Sequence, residues 1–415
     1  MSESIGQRPW MTAAATVAVM DALEARGGSA CARFVGGCVR NSLLDQPVAD
    51  IDIATILTPD AVSAALQAAG LKAIPTGADH GTITAVAKGQ PFEITTLRRD
   101  VETDGRRAVV AYTTDWAEDA ARRDFTLNAV YADREGTLLD PTGLGVPDGR
   151  AGRVVFVGDP ATRIAEDHLR ILRFFRFYAW YGRGAADPAA LEACAAQSQT
   201  LAALPAERVA KELLKLLAAA DPRPAVAQMA EAGVLGMILP WGRDLGQFEA
   251  LVAIETEQLF TCDPVLRLAT LIPDHTEGVA AAAEQLRLSN AQRDRLAGAM
   301  GQAPSITSWM SPRETRRALY RLGAQTFADR VMLAWAKAGG AAAHQWRGLL
   351  ALGQGWSPPA FPLGGEDVVA AGAPKGPMVG AVLREVEAWW IDQDFPDDRL
   401  AAVEKLKAVV QGMAS

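Results

Sequence analysis

"FVGGCVRNSLLDQPVADIDIAT", residues 34–55, places a Gly-Gly turn shortly before two aspartates in an apolar segment. The flanking apolar residues predict two strands, one ending at the turn and one containing Asp50 and Asp52. Residues i and i+2 of a strand point to the same face, so we expect the two carboxylates to project together. Their like charges repel and raise one pKa unless a cation lies between them. Oxygen ligands suit Mg²⁺, which predicts a magnesium site; the alternative is an edge strand with its polar face in water.

The Gly36-Gly37 turn favours the metal interpretation. Glycine allows positive φ and a close approach of the backbone to a ligand, and consecutive N–H groups in such a turn form an anion-binding nest. Arg40 follows three residues later and adds a guanidinium to the same place. The alternative is an ordinary strand–helix turn with a surface arginine. Taken with the paired carboxylates, the turn predicts a nucleoside triphosphate site.

The rest of the first 140 residues mixes strands with a few helices. "GTITAVAKG" (81–89) and "PFEITTLR" (91–98) predict paired strands, and "TPDAVSAALQAAG" (58–70) predicts a helix with Thr58 as its N-cap. After Pro160 strand patterns nearly disappear and helical stretches follow one another. The predicted fold class is therefore α+β, a sheet domain followed by an all-helical part. A length of 415 residues predicts two or three domains.

Composition limits the classes of function. The net charge of −8 argues against a surface that coats nucleic acid generally, although it allows a local basic groove. The four cysteines show no Cys-x-x-Cys spacing, which predicts free thiols in a reducing cytoplasm. No apolar run approaches the ~20 residues that a membrane span needs, so we expect no membrane partner.

Two arginine-rich segments, with turn segments between them, follow the first domain's strands. They are "RRDFTLNA" (122–129), the turn segments "DPTGLG" (140–145) and "GDP" (158–160), and "EDHLRILRFFRF" (166–177). One continuous helix is predicted over residues 162–180. On it Asp167, Arg170, Arg173 and Arg176 recur every three residues and form a stripe along one side. A solvated, salt-bridged helix face is the alternative.

These motifs, in this order and spacing, resemble the class II tRNA nucleotidyltransferases (CCA-adding enzymes) and the bacterial poly(A) polymerases. The resemblance covers roughly residues 33–180, beginning with "GGCVRN" and "DID", and a weaker one lies near the end of the chain. It implies a palm-type nucleotidyltransferase head over residues 1–160. A helical neck that binds RNA is then expected over 161–240, and a helical body and tail that bind tRNA over 241–415.

The resemblance also implies roles for single residues. It makes Asp50 and Asp52 the metal ligands, and Glu93 is our choice for a third catalytic carboxylate, with Asp124 as the alternative. The predicted nucleotide-binding residues are Gly36, Gly37, Arg40, Arg123, Asp124, Asn128, Asp167, Arg170, Arg173 and Arg176. The family usually has aspartate where this chain has Asn41, which we interpret as a tolerated change next to the site.

The pair Asp167 and Arg170 offers a physical basis for choosing bases without a nucleic-acid template. Cytosine and adenine each place an amino group beside an unprotonated ring nitrogen. A carboxylate accepts from that amino group while a guanidinium donates to the ring nitrogen. Uracil and guanine reverse this pattern and leave both side chains mispaired, so the two residues are expected to select C and A together.

The predicted function is therefore Mg²⁺-dependent addition of C, C and A to the 3′ end of tRNA from CTP and ATP. The polar segment 98–119 is interpreted as the family's flexible loop, which favours addition of the terminal A, although a disordered surface loop is the alternative. The rival functions are poly(A) addition, CC addition alone, a non-catalytic RNA-binding homologue, and nucleotidyl transfer to a small molecule. No oligomeric state is predicted.

Overall fold

The computed structural model describes residues 3–77, 81–104, 107–241, 244–273 and 276–414. The chain divides into two compact units, Met1–Arg243 and Asp244–Ser415. The predicted head and neck both lie in the first unit, and the division between them near residue 160 stays a proposal. Within the described residues, no helix is long and apolar enough to cross a membrane.

A mixed β-sheet forms the first part of the first unit. Seven of the described strands join in the order β3-β4-β5-β2-β1-β8-β9, with β2 and β5 parallel and the other neighbours antiparallel. The strands are β1 (Ala32–Val35), β2 (Asp52–Thr55), β3 (Lys72–Gly77), β4 (Thr82–Ala87), β5 (Gln90–Thr96), β6 (Arg98–Asp104), β7 (Arg107–Tyr112), β8 (Tyr131–Ala132) and β9 (Leu138–Leu139). The predicted pairing of β4 with β5 is confirmed.

Helices cover one face of this sheet and make up the remainder of the unit. They are α1 (Pro9–Thr12), α2 (Ala14–Gly27), α3 (Gly37–Leu43), α4 (Pro59–Ala68), α5 (Trp116–Ala121), α6 (Gly145–Ala151), α7 (Pro160–Glu166), α8 (Arg170–Tyr181), α9 (Pro188–Ala196), α10 (Ala206–Leu217), α11 (Arg223–Glu231) and α12 (Val234–Ile238), with 3₁₀ helices at Thr126–Asn128 and Ser198–Ala203. The Thr58 side chain accepts a hydrogen bond from the Ala61 amide, which confirms the predicted N-cap of α4.

The main core of the head lies between the sheet and helices α2 and α4. Phe34, Ile53, Phe92 and Ile94 are fully buried in it. Because successive strand residues point to opposite faces, Asp52 lies on the other face, next to Ile53 in sequence but away from its core. Only a small second cluster of buried apolar residues covers that face of the sheet. The sheet therefore presents Asp52 where its carboxylate is accessible.

The segment from residue 98 differs from the predicted loop. Strands β6 and β7 pair antiparallel as a separate two-stranded sheet, and α5 follows them. The register of the ribbon shifts between Asp100 and Glu102. Many polar residues in a two-stranded ribbon obscure the alternation that a half-buried strand would show, which explains why the sequence pattern was weak.

The second unit is helical throughout its described residues, as predicted. Its helices are α13 (Gly246–Glu257), α14 (Pro264–Ala269), α15 (Thr276–Gln285), α16 (Asn290–Ala299), α17 (Pro312–Leu322), α18 (Ala324–Lys337), α19 (Ala343–Gly355), α20 (Gly365–Ala370), α21 (Pro377–Asp392) and α22 (Arg399–Ala414). A buried ion pair joins Arg267 Nε to Glu255 Oε2 at 2.6 Å. Capping boxes at Ser289 and Ser311 begin α16 and α17.

Candidate functional site

The Gly-Gly turn connects β1 to α3 and lies against Asp52. Gly36 precedes the helix with φ 69° and ψ −125°, a conformation that residues with a side chain rarely adopt. A Cβ at this position would lie 3.5 Å from Asp52 Oδ2. The backbone therefore passes directly beside the carboxylate, as a site for a phosphate and its counter-ion requires.

Replacing Gly36 with alanine is expected to lower stability by about 1–3 kcal/mol, because an L-residue is strained at this φ and ψ. The KM for nucleotide should rise as well, since the turn would move away from Asp52. Thermal melting and steady-state kinetics measure the two effects. Gly236→Ala is the matched control, because Gly236 lies in α12 with no heavy atom near its added Cβ, and its melting temperature should not fall. If Gly36→Ala and Gly236→Ala lower the melting temperature equally, the strained conformation of the Gly36 turn is not the cause.

Three carboxylates come together at the start of β2. Asp52 pairs with Glu93 across the parallel strands β2 and β5, and Asp50 lies two residues before Asp52, just outside the strand. Burial, with repulsion from Glu93 and Asp50, raises the pKa of Asp52 to about 6, although Arg123 opposes the shift. Like-charged carboxylates at this spacing favour a cation.

Arg40 is directed toward helix α8. Its guanidinium donates to Asn128 Oδ1 at 2.6 Å, to Asn41 Oδ1 at 2.9 Å and to the Tyr181 hydroxyl at 2.6 Å. It also lies 4.1 Å from the centre of the Tyr181 ring. The Asn41 amide donates to the Pro47 carbonyl at 2.7 Å, a bond that an ionised aspartate would not make. Asparagine at 41 thus holds both Arg40 and the segment leading to Asp50.

Arg123 is fixed by a pair of residues that sequence reasoning missed. Its Nη2 lies 2.9 Å from Asp119 Oδ2, and the Tyr131 hydroxyl donates to the same oxygen at 2.7 Å. Asp119 is fully buried, and it also binds Arg122. Asp119 lies in α5 and Arg123 two residues beyond its end, and their spacing of four residues was the signal that could have identified this pair.

Asp124 connects the head to α8 through Arg173. The carboxylate accepts from Arg173 Nε at 2.9 Å and from Asn128 Nδ2 at 3.0 Å. Burial alone would raise the pKa of Asp124, but the charge of Arg173 and these hydrogen bonds lower it to about 2. Because Asp124 is already paired, Glu93 beside Asp52 is the better placed third carboxylate, and that choice stays a proposal.

Asp124→Asn is expected to destabilise the protein by about 2–3 kcal/mol, since it removes the counter-charge of the partly buried Arg173. The depressed pKa of Asp124 also determines how the stability of the folded protein changes as the pH falls. The stabilisation by Asp124 is complete above its unfolded pKa and is lost as the pH falls toward 2. Melting curves from pH 7 down to acid measure both effects. In the double variant Asp124→Asn/Arg173→Met the free energy of unfolding should fall by less than the sum of the two single losses. Full additivity would show that the interaction between the two residues does not stabilise the protein.

The predicted single helix over residues 162–180 is wrong. Helix α7 ends at Glu166, Asp167 is extended with φ −150° and ψ 102°, and α8 begins at Arg170. Asp167 Oδ2 lies 3.4 Å from Arg208, while Arg170 binds Glu166 Oε2 at 2.6 Å and the Arg163 carbonyl at 2.5 Å. The Arg170 amide donates to the Asp167 carbonyl at 2.9 Å, but among the described contacts the Arg170 guanidinium pairs with Glu166, the partner that sequence reasoning missed, and not with the Asp167 carboxylate.

Arg176 lies two turns further along α8, away from Asp167. Its Nε is 2.7 Å from Glu212 Oε2 of α10, and its guanidinium lies 4.5 Å from the Phe177 ring centre. With Tyr181 it borders a cavity of about 250 Å³ between α8 and α10. No sequence pattern indicated Glu212 or Tyr181, because both contacts join residues far apart in the chain.

The oxygen donors at β2 fit a metal ion that takes part of its ligands from substrate. Within the described ranges, no three His, Cys, Asp or Glu side chains form a complete protein-only metal cluster. Mg²⁺ commonly binds one or two carboxylates and takes its other ligands from water and substrate phosphates. The oxygen donors Asp50 and Asp52, the raised pKa of Asp52 and the open Gly36 turn fit such a substrate-completed site.

Two family models match the chain. One, described as the Poly A polymerase head domain, matches residues 32–155, and another, described as a probable RNA and SrmB-binding site of polymerase A, matches residues 186–243. The human "CCA tRNA nucleotidyltransferase 1, mitochondrial" is 34% identical, over 90% of this chain and 86% of its own. A "CCA-adding enzyme" from Geobacillus sp. is 38% identical over 51% of this chain and 52% of its own.

Solved structures share the fold. A Bacillus stearothermophilus CCA-adding enzyme in complex with CTP matches with a TM-score of 0.79 at 24% identity, covering 98% of this chain and 100% of that one. A Thermotoga maritima CCA-adding enzyme complexed with tRNA matches with a TM-score of 0.65 at 20% identity, covering 91% of each chain. The expected α+β architecture, a palm with a helical remainder, is therefore confirmed.

The sheet, the turn beside Asp52 and the head-domain match define a nucleotidyltransferase of the palm type. Within that class the match to the human relative extends along most of both chains. The chain belongs to the family of CCA tRNA nucleotidyltransferases.

Proposed function

We propose that this chain adds C, C and A to the 3′ end of tRNA, using CTP and ATP without a nucleic-acid template. The observation that carries the proposal is the position of Asp52 and Glu93 beside the Gly36 turn, in a chain that aligns with a CCA tRNA nucleotidyltransferase over 90% of its length. Relatives solved with CTP, with ATP and with tRNA support the same substrates.

Asp50 and Asp52 would hold the catalytic magnesium, with Glu93 as the third carboxylate. When bound, Mg²⁺ activates the RNA 3′-hydroxyl and stabilises the charge of the leaving pyrophosphate. The Gly36-Gly37 amides and Arg40 position the triphosphate, while Arg123 and Arg173 contribute positive charge, each held in place by an aspartate. Asn128 joins Arg40 to Asp124, and Arg176 extends the basic side of α8.

Base choice would depend on Asp167 and Arg170. The carboxylate accepts from the amino group of cytosine or adenine, and the guanidinium donates to the adjacent ring nitrogen. Because Arg170 is held by Glu166 and a backbone carbonyl, its orientation is fixed before the base arrives. We further propose the division into head (1–160), neck (161–240) and body with tail (241–415). A cytoplasmic location is also proposed from the cysteine content.

The test uses the purified chain, Mg²⁺ and tRNA transcripts that end at the discriminator base, with CTP and ATP separately and together. Products are sized and sequenced. Addition of C-C-A followed by a stop is expected. A long A tail from ATP alone would identify a poly(A) polymerase, and a stop after C-C would identify a CC-adding enzyme. No incorporation by a folded chain would leave the non-catalytic RNA-binding function.

A further inference from the structure

Arg330, on α18 of the second unit, is a buried arginine without a counter-charge. The residue is 9% exposed, and it forms no ion pair within the ranges that the structure describes. The carboxylate next to it in sequence, that of Asp329, is paired elsewhere, because Asp329 Oδ2 lies 2.9 Å from Arg295 Nε. Burial lowers the pKa of Arg330. A buried cation of this kind is costly unless acceptors or an anion compensate it.

Backbone carbonyls compensate only part of the Arg330 guanidinium. Its Nε donates to the Gly298 carbonyl in the last turn of α16 at 2.7 Å, and its Nη1 donates to the Ala303 carbonyl at 2.7 Å. These bonds have a structural role, since they hold the end of α16 and the segment after it. The guanidinium also carries two N–H donors on Nη2, and these meet no acceptor among the described atoms. The side chain is therefore fixed in place while Nη2 keeps its donors for a ligand.

Arg330 and Gly301 both line a cavity of about 290 Å³ within the second unit. A Cβ on Gly301 would collide with Arg330 Nη2, so the missing side chain at position 301 makes room for that nitrogen. Gln302, Ser305 and Lys337 bring further polar groups to the same lining. The cavity therefore combines an oriented guanidinium with amide and hydroxyl groups that can donate to several oxygens of one ligand.

We propose that this cavity binds a small anion of the phosphate class, either inorganic phosphate or the phosphate group of a small ester, with Arg330 Nη2 as its charged ligand. Guanidinium N–H groups form strong, charge-assisted hydrogen bonds to phosphate oxygens. A small anion is favoured over an RNA backbone, because Arg330 is nine-tenths buried and is approached through the cavity. The proposal goes beyond the proposed function, since every lining residue lies between positions 247 and 337.

Hydrogen exchange of the full chain, measured by mass spectrometry with inorganic phosphate against chloride at equal ionic strength, tests the proposal. Phosphate should slow exchange in peptides that cover residues 298–306, because a bound ligand stabilises the segment that it contacts. The phosphate dependence of that protection gives a local dissociation constant, which separates this cavity from phosphate binding in the head. Protection confined to peptides of the first unit, or no protection at all, would overturn the proposal.

Gly301→Ala is the first variant, because its new Cβ displaces Nη2 at the far end of a flexible side chain. It should raise the local dissociation constant of phosphate at least about tenfold. Gly348→Ala on α19 is the matched control, since no heavy atom lies within 4 Å of its added Cβ, and it should bind phosphate as the unchanged chain does. An unchanged dissociation constant in a folded Gly301→Ala chain would remove Nη2 from the site and overturn the proposal.

Gln302→Glu keeps the proposal testable if Gly301→Ala does not fold. Gln302 is exposed, and a carboxylate at this position of the lining repels phosphate and competes for Arg330. Protection of residues 298–306 by phosphate should be lost in this variant, whereas the melting temperature in chloride should not fall. Full protection by phosphate in Gln302→Glu would count against the cavity as the binding site.

The tRNA backbone is the other source of phosphate, and exchange in the presence of tRNA separates the two. The proposal expects inorganic phosphate to protect residues 298–306 without tRNA. If tRNA protects these residues and inorganic phosphate does not, and Gly301→Ala removes the protection, Arg330 contacts the RNA backbone and the proposal is overturned.

Discussion

Asp52→Asn is expected to abolish nucleotide addition and, at the same time, to raise the melting temperature of the metal-free protein. Both effects follow from the placement of Asp52. It is partly buried beside Glu93 on the open face of the sheet, where burial and like charges raise its pKa to about 6. Asparagine keeps the shape of the side chain and removes the repulsion, but it is a poor ligand for Mg²⁺.

The sign of the stability change follows from the pKa shift. The folded-state pKa of Asp52 lies above its ordinary value of 3.8, so the folded protein disfavours the ionised carboxylate. Native stability therefore falls as the pH rises from about 4 to about 6, and asparagine avoids this loss. Allowing for solvent screening, we expect a gain of about 1–2 kcal/mol above pH 6, or roughly 2–6 °C in melting temperature.

Two measurements check this prediction. The rate at which CTP is incorporated into tRNA should fall by at least about a thousandfold. The melting temperature measured in EDTA should rise at pH 7.5 but not at pH 4. Asp60→Asn is the matched control, because Asp60 is exposed on α4 and away from the site, and it should leave activity unchanged. Activity retained by Asp52→Asn would remove Asp52 from the metal site. A lower melting temperature at pH 7.5 would contradict the repulsion argument.

The sequence predicted the parts of the site that local rules determine. The Gly-Gly turn, the strand at Asp52 and the pairing of β4 with β5 depend on residues close together in the chain. The predicted strand also contained Asp50, and this part was wrong, because β2 begins at Asp52 and Asp50 lies in the segment before it. The break at Asp167 could not be predicted, because "AEDHLR" contains neither proline nor glycine, the usual residues that end a helix. Local contacts lie around this break, where Arg163 and Arg170 both bind Glu166, and one tertiary contact joins Arg163 to the Arg123 carbonyl.

The residues that pair with the arginines could not be predicted from the sequence either. Arg40 and Tyr181 are 141 positions apart, and Arg173 and Asp124 are 49 positions apart. Composition and periodicity carry no information about such pairs. The consequence for function is direct, because the partners decide which arginines are already neutralised and which retain charge for a phosphate. Arg40, which donates to the neutral side chains of Asn41, Asn128 and Tyr181, belongs to the second class.

Asp167→Asn is expected to change which nucleotides the enzyme accepts. Asp167 lies in extended backbone between α7 and α8, where one carboxylate oxygen accepts from the Leu169 amide at 3.1 Å. The other is 3.4 Å from Arg208, a long contact with an exposed side chain, so that oxygen stays available to a base. An amide at this position can turn its NH₂ group toward the carbonyl of uracil, which a carboxylate repels.

The efficiency kcat/KM for CTP and for ATP should therefore fall at least about 100-fold in Asp167→Asn, while that for UTP rises about tenfold. Single-nucleotide addition to tRNA with each of the four nucleotides measures the change. Arg208→Ala is the control: it removes the contact with Asp167 but leaves the carboxylate, so the preference for CTP over UTP should persist. If Asp167→Asn lowers all four efficiencies equally, Asp167 supports the break between α7 and α8 and does not select the base.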